Sequence, residues 1–232
     1  PPHATSSAAS DVYKRQVPNI YHVPLMLQEQ GLCDILGVDC SATGMLDDWK
    51  AMAFHLDTLT EEVHIAMVGK YTDLSDAYLS VIKSLQHAAM AVDRKLVIDW
   101  IEASHLEEDW AAEDHEAAWA ALRKADGVLV PGGFGDRGVE GKIRAAHYAR
   151  TEGVPYLGIC LGLQIATIEF CRNVLGMTGA NSTEFEDNPE HAAVVFMPEI
   201  SKTHLGGTMR LGSRPTLWQH DGSTIRALYG PG

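Results

Sequence analysis

The stretch VPYLGICLGLQIATIEF, residues 154–170, decides the fold. Residues 154–159 are a short, nearly continuous apolar run that predicts a strand of a parallel sheet. Leu161 to Phe170 is amphipathic, so the strand passes straight into a helix with Cys160 at the junction. The same alternation recurs upstream. VHIAMVGK (63–70) predicts a strand, and 75–91 predicts a helix, with Ala77, Tyr78, Val81, Ile82, Leu85, Ala88 and Ala89 spaced by threes and fours. LVIDWI (96–101) is a second strand and 107–125 a second helix; GVLVPGG (127–133) is a third strand running into a glycine-rich turn. Residues 139–149 form a third helix, carrying Val139, Ile143, Ala146 and Ala149 on one stripe. Strands and helices alternating at this spacing specify an α/β fold, an open and mostly parallel sheet with helices on both faces, flavodoxin-like in plan. Beyond Gly176 the runs VVFM, GGTMRLG, TLWQ and TIRALY are short, and they predict a small antiparallel C-terminal addition.

With 232 residues, the chain has room for one full domain and appendages. A hydrophobic content of 46% removes intrinsic disorder as a general description. No apolar run approaches the roughly 18–20 residues of a membrane span, so no membrane partner is expected. Lys and Arg number 18 against 31 Asp and Glu, and the resulting net charge of −13 argues against a nucleic-acid partner, which needs a basic face. The four cysteines, Cys33, Cys40, Cys160 and Cys171, show no CxxC spacing and predict a reduced, cytoplasmic protein with free thiols. Residues 1–16 lack the apolar centre of a signal peptide and read as a non-native scar, expected to be disordered. Residues 17–60 hold two short helical signals, one from Val23 to Gln30 and one at 47–59 with Trp49, Met52, Ala53 and Leu56 as its apolar positions. Such a segment cannot bury a core alone. It reads as the tail of an upstream domain plus a linker, leaving 61–232 as the main domain.

In an open α/β sheet, ligands collect outside the carboxyl ends of the strands. Three features fall there. Gly158-Ile159-Cys160-Leu161-Gly162 is the thiol version of a nucleophile elbow, whose flanking glycines allow the sharp turn that presents a reactive atom. The Leu161 N–H then points where an oxyanion forms, and the helix N-terminus favours a thiolate. A packing cysteine between two structural glycines is the alternative. Pro131-Gly132-Gly133-Phe134-Gly135 brings backbone amides close to a ligand, so Gly132 or Gly133 is a candidate second oxyanion donor; a plain surface turn is the alternative. In Asn181-Ser182-Thr183-Glu184-Phe185, the Glu184 carboxylate is a candidate partner for a substrate ammonium, against an ordinary acidic loop. Lys70 and Tyr71, ending the first strand, lie on the same edge and either touch a ligand or merely cap the strand.

Taken together, PNIYHVPLMLQEQGL, IAMVGKYTDLSDAYLSVIKSLQHA, DGVLVPGGFGDRGVEGKI, PYLGICLGLQIATIEFCRNVLG, ANSTEF and GGTMRLG resemble the CTP synthase family from about Val17 to Gly232. The resemblance implies a class I glutamine amidotransferase domain that hydrolyses glutamine and passes ammonia to a synthase domain of the same parent chain, which turns UTP into CTP. It implies ATP and Mg2+ in that synthase domain, GTP as an activator, and a homo-tetramer. Carried over by position, Cys160 resembles the nucleophile that forms a glutamyl thioester. Gly133 and the Leu161 amide match the oxyanion hole, and Leu161, Gly162, Leu163, Gln164 and Glu184 fall where the family binds glutamine. Arg137 is similar in place to the region where GTP acts. No cofactor and no metal are expected in residues 17–232 themselves.

One departure stands out. The family carries a His-Pro-Glu that supplies the general base and its orienting carboxylate, whereas here His191, His204 and His220 follow Cys160 and none precedes Pro-Glu. The chain is therefore expected to be truncated at both ends and, by itself, catalytically incompetent, because a nucleophile without its base loses several orders of magnitude in rate. Two other possibilities remain. One is a Cys-elbow hydrolase of the γ-glutamyl hydrolase type; the other is a non-catalytic module that binds glutamine or regulates a partner.

Overall fold

The computed structural model describes residues 37, 47–70, 75–196, 217–220 and 222–230. They fall into two compact units, one ending at Val195 and one beginning at Phe196.

The first unit is built on a four-stranded sheet in the order β2-β1-β3-β4. Its strands are β1 (Glu62–Gly69), β2 (Lys95–Glu102), β3 (Gly127–Val130) and β4 (Tyr156–Gly158). Every pairing is parallel: Ile65 lies opposite Ile98 and Gly127, and Val128 opposite Tyr156. Proline at 131 lacks the N–H a ladder needs, and β3 stops at Val130 rather than running on to residue 133.

Helix α1 (Asp47–Thr58) precedes the sheet, and α2 (Leu79–Ala91), α3 (Ala112–Lys124), α4 (Val139–Glu152) and α5 (Leu161–Asn173) alternate with its strands. Right-handed crossovers applied to this strand order put α2 on one face and α3 with α4 on the other. The side chains agree. Ala66, Val68, Val128 and Val130 pack with Leu122, Ala145 and Ala149 in one core. A second core joins α4 to α5 through Ile143, Ala146, Leu161, Ile165 and Ile168. Helices therefore cover both faces of the parallel sheet, as the alternation predicts. Two expected helices open differently: 75–91 begins as a 3-10 turn (Ser75–Tyr78), and 107–125 is helical only from Ala112, where α3 starts, residues 107–111 being irregular after a 3-10 turn at Ala103–Leu106. Helix α3 carries Glu113 and Asp114 in its first turn and Arg123 and Lys124 in its last, the charge order its dipole favours.

Helix α1 is seated on α2 by a small apolar contact, in which Ala53 and Met90 are buried beneath Met52, Leu56 and Leu59. The upstream helical signal at 23–30 and residues 1–16 lie outside the described residues.

The antiparallel C-terminal addition is not found among the described residues. Strands β5 (Ala180–Ser182) and β6 (His191–Val194) pair in parallel, with a bulge at Asn181/Ser182. Two reversals fit between them, the first closed by Phe185 and Glu186 N–H bonds to the Ser182 carbonyl, so β6 re-enters from the same end as β5. Residues 224–229, TIRALY, form helix α6 (Thr224–Tyr229) in the second unit rather than a strand. Ser223 caps it, its hydroxyl accepting from the Arg226 N–H at 3.2 Å. That cap outweighs the strand preference of the β-branched pair Thr224-Ile225. TLWQ is irregular where described, from Leu217, and GGTMRLG lies outside the described residues.

Candidate active site

Cys160 sits between β4 and α5 with φ 54° and ψ −105°, a conformation that costs a non-glycine residue on the order of 1–3 kcal/mol. The neighbours force it. A Cβ on Gly158 would lie 2.4 Å from the Gly162 carbonyl carbon, and one on Gly162 would lie 2.1 Å from the Val130 oxygen. Both glycines are thus required by close main-chain approach, and the elbow is locked from each side. Ile159 N–H donates to Val130 O at 3.0 Å, while the Cys160 carbonyl accepts from Leu163 and Gln164 at 3.1 and 3.2 Å. The turn leaves the Cys160 side chain exposed.

The glycine-rich turn meets the elbow. A Cβ on Gly132 would lie 3.3 Å from Cys160 Cβ and 3.9 Å from its Sγ, so this backbone runs directly beside the thiol; Gly133 faces the Leu161 side chain. Among the described residues, neither the Leu161 nor the Gly133 N–H is paired with a backbone carbonyl. The sheet thus brings Cys160, Leu161, Gly132 and Gly133 together. On the same helix start, Leu163 is 64% exposed and Gln164 half-buried. Glu184 lies in the turn after β5, exposed, its N–H donating to Ser182 Oγ at 3.2 Å. Among the described residues, none hydrogen-bonds the Cys160 sulfur. Arg137 reaches Glu102, Nη2 to Oε1, at 3.2 Å. Tyr71 lies outside the described residues.

Several supporting groups carry no local sequence signal. The Tyr156 phenol donates to the Gly162 carbonyl at 2.8 Å, and burial pushes its pKa well up, so it stays a donor to the first turn of α5. Glu169 is buried on α5 and accepts from Arg150 at 2.8 Å, Asn173 at 3.1 Å and, with His147 Nδ1 at 2.9 Å, closes a polar knot between α4 and α5. Burial pushes its carboxyl up, but the Arg150, His147 and Asn173 hydrogen bonds outweigh that and hold it below the usual range.

Lys142 on α4 is only 2% exposed. Burial first, then nearby Lys70, pulls its pKa down to about 8, against opposing attraction from Glu102 and Glu107. A signal existed: it lies three residues after Val139 and four before Ala146, on the apolar stripe. In the unfolded chain the group keeps its proton up to about 10.5. Between about 8 and that value the unfolded state binds more protons, so stability should rise with pH. Lys142→Met is expected to flatten this rise and to be most stabilising below pH 8. Urea unfolding midpoints at pH 7 and pH 10 check it; equal pH slopes in both proteins would contradict it.

The profile of the family described as "Glutamine amidotransferase class-I" matches residues 73–229. CTP synthase of Dictyostelium discoideum is 52% identical over 234 residues, covering 92% of this chain and 41% of that protein. CTP synthase 1 of Homo sapiens is 50% identical over 223 residues, covering 92% and 38%. The solved structure described as "Trypanosoma brucei CTPS - glutaminase domain with bound acivicin" is similar with a TM-score of 0.55 and 43% identity, over 61% of this chain and 53% of that one. The chain thus spans about two fifths of the length of the curated relatives it matches.

Proposed function

The chain belongs to the class-I glutamine amidotransferase family, and on that premise we propose that it is the glutamine-hydrolysing part of a CTP synthase, with Cys160 as the nucleophile. The observation that carries this is the exposed, strained Cys160 standing beside the Gly132-Gly133 turn. Its thiolate attacks the side-chain carboxamide carbon of glutamine; the C–S bond forms and the carbonyl electron pair moves onto oxygen. The Leu161 and Gly133 N–H groups receive that oxyanion, each donor contributing about 10²–10³ in rate. Collapse with protonation of nitrogen releases ammonia and leaves a γ-glutamyl thioester. Water then adds to the thioester, and glutamate departs as the thiolate returns. Glu184 pairs with the substrate ammonium, and Leu163 and Gln164 line its path.

In this proposal residues 17–60 end a synthase part and link it to 61–232, and ammonia released at Cys160 serves UTP-to-CTP conversion there, within a tetramer in the cytoplasm. Among the described residues no helix is long and apolar enough to cross a membrane. The acivicin bound to the Trypanosoma brucei domain supports a glutamine-like ligand. A γ-glutamyl hydrolase type of activity is disfavoured by the lead-in PNIYHVPLMLQEQGL and by the identity to CTP synthases. Because no histidine here precedes Pro-Glu, the chain alone is expected to release no measurable ammonia from glutamine. Acivicin should nonetheless label it once, at Cys160, with glutamine protecting and Cys160→Ala abolishing the adduct; mass spectrometry reads the site. An adduct on Cys171, or none at all, overturns the assignment.

A further inference from the structure

We propose that Lys70 is a positioning residue of the oxyanion turn, its ammonium fixing through the Phe134 and Gly135 carbonyls the backbone that carries the Gly133 N–H. This rests on the function proposed above. Lys70 follows β1 and is 8% exposed; its Nζ donates to Phe134 O at 2.9 Å and to Gly135 O at 3.2 Å. The Lys70 carbonyl in turn accepts the buried Tyr78 hydroxyl, which pins the lysine backbone.

The turn has little else to hold it. Gly132 and Gly133 bring no side chains, Phe134 is 71% exposed, and Gly135 takes φ +77°. Its incoming arm is tied at β3, and its outgoing arm enters α4 after Gly138. Between Pro131 and Gly138, among the described residues, the side chains that reach main-chain oxygens are Lys70 and, at 3.5 Å on Arg137 O, Lys142. The helix start adds main-chain bonds only at the far end, Val139 N–H to Asp136 O and Lys142 N–H to Gly138 O, both at 3.1 Å. Water would satisfy the Phe134 and Gly135 carbonyls on so exposed a turn. Burying an ammonium there instead carries a desolvation cost, and what it adds is direction. A donor shifted by about 1 Å from its target loses on the order of 10²-fold in rate.

The test uses the full chain and three measurements on Cys160: its alkylation rate by iodoacetamide, protection by glutamine, and protection by glutamate γ-semialdehyde. The semialdehyde adds the thiolate to its carbonyl carbon, and the carbonyl oxygen takes the electron pair that the turn must hold, whereas iodoacetamide forms no oxyanion. Lys70→Met is expected to weaken semialdehyde protection by about 10- to 100-fold while alkylation and glutamine protection stay within about twofold. Lys70→Gln, which keeps N–H donors but is uncharged and one atom shorter, should fall between. Unchanged semialdehyde protection in the variants, or a parallel loss in all three measurements, overturns the positioning role. Failure of both variants to fold overturns it too, since Lys70 would then be structural. If the unsubstituted chain shows no semialdehyde protection, the glutamine-directed function itself falls, and this role with it.

Discussion

Gly162→Ala is expected to abolish the cooperative fold. The added methyl carbon would sit 2.1 Å from the Val130 oxygen, 2.9 Å from its carbonyl carbon and 3.0 Å from its Cβ. These are atoms of a fully buried strand, not the tip of a flexible side chain. Relief requires α5 to lift off the sheet by more than an ångström, which opens the core formed by Leu161, Ile165, Ile168 and Ile143. Interiors packed to crystal density do not absorb such a shift, and the cost should exceed about 4 kcal/mol. That is a large part of the roughly 5–15 kcal/mol that holds a domain together. Gly222→Ala is the control, since nothing lies within 4 Å of its added carbon. Circular dichroism melts should show no sigmoidal transition for Gly162→Ala and an unaltered one for Gly222→Ala. A Gly162→Ala midpoint within a few degrees of the parent would refute the close approach of α5 to β3.

Cys160→Gly should behave in the opposite sense, more stable and chemically dead. At φ 54° and ψ −105° the residue lies outside every basin an L side chain prefers, whereas glycine reaches such angles freely. Relief of about 1–3 kcal/mol is offset by the roughly 0.5–1 kcal/mol of extra chain freedom that glycine brings to the unfolded state. A net gain of about 1 kcal/mol raises Tm by about 2–4 °C in a domain of this size. Cys160→Ala is equally unreactive but keeps the strain, so it should melt close to the parent. The comparison separates backbone strain from sulfur chemistry: identical midpoints for the glycine and alanine variants would mean that no strain is stored at the elbow.

The sheet and the elbow were legible because each rests on a local pattern. Buried parallel strands read as short apolar runs, and VHIAMVG, LVIDWI and GVLV stand out between polar helix starts. A cysteine between two glycines at a strand-to-helix junction has few structural solutions. What stayed hidden depends on contacts across the fold. Nothing near Glu169 announces that His147 and Arg150, some twenty residues upstream, close over it. Lysine is usually solvated, so residue type alone hides Lys142, although its phase on the stripe places it inside. The direction of β6 relative to β5 was set by two reversals in an eight-residue link, which composition does not encode. In TIRALY a single capping serine reversed a preference that its β-branched residues suggested.

Gly158, Gly162 and Gly132 share one trait: around the thiol, three neighbouring positions offer main chain where most sites offer side chains. A wall made of peptide groups has no rotamers to re-choose and no functional group that a codon change can exchange. Diversification must therefore act further out, on outward-facing Leu163, Gln164 and Phe134, so that what is gripped can drift while the geometry at the sulfur is inherited whole.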